Sequence, residues 1–257
     1  PYQLAGDHHL CTGSVGISIF HGTEVSVDEM FRNSDVAMYE AKRLGRNGLR
    51  FFDPAMQATI ESRSRLESAL RNALQENQFT LFFQKQVNAN GEIIGAEALI
   101  RWMHPERGMV PPFEFIPVCE ESGLIVPVGY WVLEEACRKL KAWQNHPEMK
   151  HLTISVNSSV KEFMQEGYVN QVLQTIDASG VSPAGLELEI TESMGHSNLD
   201  ELVEKLLLLR KAGINIAMDD FGTGYSSLSY LKRLPLNTLK IDQSFVRDLG
   251  KIGRAHV

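Results

Sequence analysis

Two adjacent aspartates, Asp219 and Asp220, end an apolar run that begins at Ile214. The run predicts a strand, and the glycine-containing segment 221–224 predicts a turn at its carboxyl end. Two carboxylates there are costly to bury unless a cation or hydrogen bonds compensate their charge. Paired hard oxygen donors suit Mg²⁺, Mn²⁺ or Ca²⁺, and the pair has enough donors for two metal ions. A turn that only caps a helix has the same local sequence, so the pair alone leaves both interpretations open.

Other strand-like segments also carry oxygen or nitrogen side chains near their carboxyl ends. From Phe79 onward, short apolar strands alternate with helical patterns, which predicts βα units and a mostly parallel sheet. In a (β/α) barrel the carboxyl ends of such strands share one mouth, where enzymes of that fold place their chemistry. One inward ion pair is ordinary packing, but five consecutive strands with this feature are hard to explain that way. The side chains concerned are Glu97 with Arg101, Asn157, Glu189, Asp219 with Asp220, and Lys240 with Asp242.

Six strands and five helices are predicted to position these side chains. The predicted strands are 80–84, 93–102, 152–157, 186–190, 214–219 and 238–241. The predicted helices are 113–121, 128–144, 169–178, 199–212 and 226–233. The turn at Asn88–Gly91 predicts that the first two strands pair antiparallel.

The residues before Phe79 predict a separate α/β segment and a connecting helix. Cys11–Phe20 alternates enough to be a strand, and Ser26–Leu44 has helical spacing with a capping box at its start. Leu49–Phe52 predicts a further short strand. The amphipathic pattern of Pro54–Asn77 predicts one long helix that links two domains, with a helix that pairs in a dimer as the alternative.

Composition limits the classes of function. The net charge of −7 over 257 residues argues against a broad surface for nucleic acid polymers, while a local basic pocket for phosphates remains compatible. Cys11, Cys119 and Cys137 lack zinc-ligand spacing, which indicates reduced thiols in a cytoplasmic protein. No apolar run approaches the roughly 18 residues of a membrane span, so no membrane contact is expected within this segment.

A series of short motifs begins with Glu97-Ala-Leu99 followed by Arg101. The further motifs, in chain order, are Gly123-Leu-Ile125, Ser155-Val-Asn157, Glu189-Ile-Thr-Glu192, Asp219-Asp-Phe-Gly-Thr-Gly-Tyr-Ser-Ser227 and Leu239-Lys-Ile-Asp242. In these motifs and in their order, the chain from Phe79 to about Leu249 resembles the EAL family of cyclic di-GMP phosphodiesterases. The resemblance implies a TIM-like (β/α) barrel of the α/β class with an antiparallel first strand, and hydrolysis of cyclic di-GMP to linear pGpG.

The resemblance also implies roles for single residues. Lys240 would lie beside the attacking water, Asp220 would bind a second metal ion, and Glu192 would tether the loop 221–227. The first ion, Mg²⁺ or Mn²⁺, would be held by Glu97, Asn157, Glu189 and Asp219. The substrate would be bound by Gln84, Leu99, Arg101 and Asp242. The family usually has a proline after the residue that matches Gln84; here Lys85 follows it, which leaves the local exit of the first strand open.

Three further motifs lie before the long helix: Ser14-Val-Gly-Ile-Ser18, Asn33-Ser-Asp-Val-Ala-Met-Tyr-Glu-Ala-Lys42 and Gly45-Arg-Asn47. In these motifs, residues 1–53 resemble the C-terminal part of a GGDEF (diguanylate cyclase) domain. The signature loop of that family would precede Pro1. The predicted boundaries are therefore 1–53 for this GGDEF fragment, 54–77 for the linker helix and 78–250 for the EAL domain. Residues 251–257 resemble a translated sequencing adapter and are predicted to be a non-native tail.

A closed barrel needs eight strands, and only six are predicted. In the EAL family the seventh strand carries the glutamate thought to act as general base, and the eighth carries a substrate-binding glutamine. We therefore expect a phosphodiesterase of bacterial signal transduction, homodimeric in its parent protein, of which these 257 residues are an inactive fragment. Two alternatives remain: a degenerate EAL module that binds cyclic di-GMP or a protein partner, and a protein in which the cyclase half dominates.

Overall fold

The structure is a computed structural model that describes residues 2–4, 7–9, 11–22, 25–192, 194, 198–222 and 231–248. It divides into two compact units, Pro1–Ser68 and Ala69–Val257. The strands are β1 (Tyr2–Leu4), β2 (Asp7–His9), β3 (Val15–Ile17), β4 (Leu49–Phe51), β5 (Phe79–Val87), β6 (Ile93–His104), β7 (Gly108–Val110), β8 (Thr153–Ser158), β9 (Leu186–Thr191), β10 (Asn215–Phe221) and β11 (Thr238–Ile241). The helices are α1 (Val27–Arg43), α2 (Pro54–Gln75), α3 (Pro112–Ser122), α4 (Ile125–Gln144), α5 (Val160–Phe163), α6 (Tyr168–Ser179), α7 (Leu199–Lys211) and α8 (Gln243–Asp248).

The first unit contains two small sheets and α1. Strands β1 and β2 pair antiparallel, and β3 pairs with β4 in parallel. Helix α1 begins after Ser26, whose hydroxyl accepts a hydrogen bond from the backbone N–H of Glu29 at 3.2 Å, as its capping pattern predicted. The strand predicted at Cys11–Phe20 is only Val15–Ile17 in the structure, because alternation indicates a face but not how many residues find a pairing partner.

The second unit is built on one mixed sheet whose strand order is β11-β10-β9-β8-β6-β5, with β7 paired to β6. Neighbours from β6 to β11 along this order are parallel, whereas β5 and β7 run antiparallel to β6. All six predicted strands are present, and the predicted antiparallel first pair is confirmed. Strand β7 was not predicted, because only three residues form it and two of them are exposed.

Helices cover one face of this sheet and define its core. On β5, Phe79 packs against Trp131 of α4 with ring centroids 5.8 Å apart, and Phe83 packs against Trp143 at 5.7 Å. Trp102 of β6 is fully buried and lies edge-on to Phe115 of α3. Alternation along the strands therefore sends the intervening side chains to the opposite face, which we call the inner face.

One helix begins clearly earlier than predicted, and two short helices were not predicted. Helix α4 begins at Ile125 rather than at Val128, because Pro127 is tolerated in a first turn whose N–H groups lack helical partners. Helices α5 and α8 were not predicted, since four and six residues are too short to show a helical period. Most of the helix predicted at 226–233 lies outside the described residues, as does the predicted tail 251–257.

Within the described part of the chain, no helix combines the length and the apolar character that a bilayer crossing requires.

Candidate metal centre and substrate site

Three carboxylates converge on the inner face of the sheet, near the carboxyl ends of its parallel strands. Glu97 comes from β6, Glu189 from β9 and Asp219 from β10, and each offers an oxygen within 4.8 Å of the others. The parallel register brings them together, since Glu97 pairs with Ser155 and Glu189 with Ala217, two residues before Asp219. Three negative charges this close repel one another unless a cation lies among them. We call these three residues the carboxylate cluster.

Lys240 of β11 places its ammonium group among the three carboxylates. Its Nζ donates to Glu189 at 2.6 Å, to Asp219 at 3.1 Å and to Glu97 at 3.2 Å. Burial by itself lowers the pKa of Lys240, but the hydrogen bond to Glu189 and the surrounding negative charges raise it above its ordinary value. The lysine is therefore held in its charged form.

Glu189 is the most buried member of the cluster, with 1% of its surface exposed. Burial raises its pKa, and the charges of Glu97 and Asp219 add to that rise against the opposing effect of Lys240. One of its oxygens, Oε2, accepts from Lys240, whereas Oε1 is buried and has no hydrogen-bond partner among the described residues. A buried carboxylate oxygen without a partner is costly, which makes it a candidate ligand atom for a cation.

Asn157 lies beside the carboxylate cluster at the end of β8. Its side-chain N–H donates to Oε1 of Glu97 at 2.8 Å, and its residue position pairs with Glu189. The amide oxygen thus comes from a residue already attached to the cluster. The structure therefore places all four residues predicted for the first ion in one region of the inner face.

Asp220 is close to this group without belonging to it. Its backbone φ is 54°, in the left-handed region, and the register between β10 and β11 shifts between Met218 and Phe221. Burial raises the pKa of Asp220, and the charges of Asp219 and Asp242 add to the effect. Its carboxylate is thus electrostatically coupled to the cluster.

The donor set fits a divalent cation. Carboxylate and amide oxygens are the ligands that Mg²⁺ and Mn²⁺ prefer. Three carboxylates exceed the single charge of Lys240, and the unpartnered Oε1 of Glu189 is an oxygen that a cation would satisfy. The residues present are therefore compatible with the metal site that the sequence predicted.

The predicted substrate residues of β5 and β6 lie on the same inner face. Gln84 pairs with Glu97, and Leu99 pairs with Phe82. Arg101 lies two residues beyond Leu99, donates to the carbonyl of Ile100 at 2.9 Å and holds its guanidinium carbon 5.4 Å from the centre of the Phe82 ring.

Asp242 has a structural role that the sequence did not suggest. Its Oδ1 accepts from the backbone N–H of Ser244 at 2.9 Å and from the Ser244 hydroxyl, at the start of α8. The hydrogen bonds from Ser244 lower the pKa of Asp242. Asp242 therefore caps a short helix, and its assignment to the substrate stays a prediction.

Glu192 contacts the beginning of the loop that it was predicted to tether. Its Oε2 accepts a hydrogen bond from the backbone N–H of Gly222 at 2.8 Å. Residues 223–227 of that loop lie outside the described residues, so its further contacts stay a prediction.

A second polar layer, which sequence reasoning missed, lies below the carboxylate cluster on the inner face. Gln86 donates to the hydroxyl of Ser155 at 3.1 Å, and Ser155 donates to Glu187 at 2.9 Å. Thr238 donates to the other oxygen of Glu187 at 2.8 Å. Each residue lies two positions from a predicted site residue, so the same period of two was a signal available in the sequence.

The fold and the site together define a class of protein. This is an α/β protein with an acidic site, centred on a lysine, at the carboxyl ends of parallel strands. A family model described as "EAL domain" matches residues 67–256, and the chain belongs to that family. The predicted EAL family is thus confirmed.

Similar curated proteins include enzymes of cyclic di-GMP metabolism. The chain is 42% identical over 253 residues to the bifunctional diguanylate cyclase/cyclic di-GMP phosphodiesterase MucR of Pseudomonas aeruginosa, covering 97% of this chain and 36% of MucR. It is 35% identical over 241 residues to the cyclic di-GMP phosphodiesterase PdeR of Escherichia coli, covering 94% of this chain and 36% of PdeR. The chain therefore spans about a third of the length of these relatives.

Solved structures of EAL proteins are also similar to this chain. The PaMucR phosphodiesterase in complex with c-di-GMP is 43% identical with a TM-score of 0.69, covering 72% of this chain and 75% of that one. The EAL enzyme Bd1971 in its form bound to cAMP and cyclic di-GMP is 29% identical with a TM-score of 0.72. The match covers 89% of this chain and 60% of Bd1971.

Proposed function

We propose that this chain is part of a metal-dependent phosphodiesterase that hydrolyses cyclic di-GMP to linear pGpG. The observation that carries the proposal is the carboxylate cluster around Lys240, with the buried and unpartnered Oε1 of Glu189. The names of MucR and PdeR as cyclic di-GMP phosphodiesterases support the choice of substrate.

A divalent cation, Mg²⁺ or Mn²⁺, would be held by Glu97, Asn157, Glu189 and Asp219, with Asp220 available to a second ion. When bound, such ions lower the pKa of water and compensate the charge of a phosphoryl group. The protein itself contributes a fixed ammonium at Lys240, which orients a nucleophile and stabilises negative charge that develops nearby.

Arg101 binds a phosphate of the substrate. Its planar guanidinium presents paired N–H donors that match two phosphate oxygens, a geometry that a lysine does not provide. Leu99 and Gln84 line the path from Arg101 to the carboxylate cluster, and the hydrogen bond from Gly222 to Glu192 fixes the exit of β10.

The proposal extends to the parent protein. The sheet would be completed to a TIM-like barrel by strands that carry a general-base glutamate, so the 257 residues alone would be inactive. Residues 1–53 would be the end of a GGDEF domain, since the match to the bifunctional MucR covers 97% of this chain. The parent would act as a homodimer in the cytoplasm.

The test is an assay of the full-length gene product for cyclic di-GMP hydrolysis with Mg²⁺ or Mn²⁺. We expect turnover by the wild type and its loss in Glu97→Ala and Asp219→Ala. Glu135→Ala is the matched control, since Glu135 lies on α4 and pairs with Arg138, away from the carboxylate cluster. Wild-type rates in both site variants would overturn the site. Binding of cyclic di-GMP without hydrolysis would instead favour the regulatory module.

A further inference from the structure

Phe82 is an exposed aromatic side chain on the inner face of the sheet. Its neighbours on β5, Phe79, Leu81 and Phe83, point to the helix-covered face, where Phe79 and Leu81 are buried. Phe82 instead shares its face with Gln84 and leaves 47% of its surface exposed. On this face Phe82 pairs with Leu99 and contacts Arg101, and nearly half of its surface remains open to a further partner.

The register of β5 and β6 fixes the level of Phe82 within the site. Phe82 pairs with Leu99, Gln84 pairs with Glu97, and Thr80 pairs with Arg101. Along β5 and β6, Phe82 therefore lies two residues from the level of Glu97 in the carboxylate cluster and two residues, in the other direction, from the level of Arg101. Successive residues on one face of a strand are about 7 Å apart, so Phe82 lies about 7 Å along the strand from the level of Glu97 and about 7 Å from the level of Arg101.

The ring of Phe82 also contacts the guanidinium of Arg101, which in the proposed function binds a phosphate of the substrate. The guanidinium carbon of Arg101 lies 5.4 Å from the ring centre of Phe82, within the range of a cation–π contact. A guanidinium that binds a phosphate beside an exposed aromatic ring that stacks a base is a common way to hold a nucleotide.

We propose that Phe82 is a substrate-binding residue on which a purine base of the cyclic dinucleotide stacks, while Arg101 binds the adjacent phosphate. This inference rests on the proposed function and adds a contact to the base. It differs from a purely structural role, in which Phe82 would only hold Arg101 in place.

The test compares Phe82→Leu, which keeps an apolar side chain without a ring, with Phe82→Trp, which keeps a ring. Phe83→Leu is the matched control on the same strand, because Phe83 packs on the opposite face against Trp143. KM and kcat for cyclic di-GMP are measured on the full-length gene product with Mg²⁺. Tryptophan fluorescence of Phe82→Trp is also recorded on mixing with cyclic di-GMP, before the first turnover ends.

Stacking on an aromatic side chain changes affinity by about 5- to 150-fold. We expect Phe82→Leu to raise KM within this range with little change in kcat, because stacking stabilises the bound substrate and the transition state alike. Phe82→Trp should restore KM and show quenching by the ligand beyond that of the wild type. Phe83→Leu should leave KM unchanged.

Two results would overturn the inference. A KM in Phe82→Leu within about twofold of the wild type, with no ligand-dependent quenching in Phe82→Trp, excludes stacking. A raised KM in Phe82→Leu without ligand-dependent quenching in Phe82→Trp would mean that Phe82 only positions Arg101. If the wild type binds cyclic di-GMP without hydrolysing it, the proposed function fails, while quenching in Phe82→Trp still decides the contact to the base.

Discussion

The buried carboxyl of Glu162 makes the stability of the second unit depend on pH. Glu162 lies in α5, directly after the strand that carries Asn157, and only 5% of its surface is exposed. It forms a capping box with Ser159, accepting a backbone N–H at 3.4 Å. Its carboxyl also packs against Gly129 of α4, where a Cβ would lie 2.3 Å away. Burial raises the pKa of Glu162 from 4.5 to about 8.

The sign of the pH dependence follows from this raised pKa. Between pH 4.5 and 8 the folded protein keeps the proton on Glu162, whereas the unfolded chain releases it. The stabilising contribution is therefore complete below pH 4.5 and is lost as the pH rises towards 8. At about 1.4 kcal/mol per pH unit, the 3.5 units between the two pKa values correspond to about 5 kcal/mol at most.

The perturbation is Glu162→Gln, which keeps the shape and the acceptor of the capping box but carries no titrating proton. The assay is urea unfolding of both proteins at pH 5, 6, 7 and 8. The difference between them removes the contribution of all other titrating groups. We expect similar free energies of unfolding at pH 5 and a growing advantage for Glu162→Gln at higher pH. A difference that stays constant from pH 5 to pH 8 would refute the burial argument.

Two further predictions concern the neighbouring helix and the metal. Gly129→Ala should destabilise the protein by about 1 to 3 kcal/mol, because the new Cβ meets the Glu162 carboxyl. Its cost should fall in the Glu162→Ala background, measured by a double-mutant cycle of urea unfolding, and an unchanged cost would contradict the contact. Mg²⁺ or Mn²⁺ at about 100 times its Kd should stabilise the protein by about 2.7 kcal/mol in thermal unfolding, and EDTA should reverse this. Asp219→Asn should lose most of that stabilisation, and an undiminished shift would place the ion elsewhere.

Local patterns were sufficient to predict the sheet of the second unit. Strand β11 has the predicted bounds, Thr238–Ile241, and β9 differs from its prediction by one residue. These strands are short apolar runs between turn signals, so a few consecutive residues are sufficient to predict that they are buried strands. Strand β7 and helix α5 have too few residues for any period to show, and their formation depends on pairing with β6 and on a cap.

The composition of the site was predictable to a lesser degree. Period-two alternation and parallel strands were enough to expect oxygen ligands at one edge. The central position of Lys240 could not be predicted in this way, because its partners Glu97, Glu189 and Asp219 lie 143, 51 and 21 residues away in the chain. Only the order of strands in the sheet brings these side chains to one point, and spacing along the sequence does not encode that order.

The end of β10 shows why two adjacent aspartates can serve one site. Alternation in a regular strand would point Asp219 and Asp220 to opposite faces. The left-handed φ of 54° at Asp220, together with the register shift before Phe221, breaks that alternation. Such a conformation costs about 1 kcal/mol for a residue with a Cβ, and aspartate tolerates it better than most. Burial raises the pKa of Asp220, and the charge of Asp219 adds to the rise. The strand therefore ends with a local departure from regular geometry, and this departure accompanies the electrostatic coupling of Asp220 to the cluster.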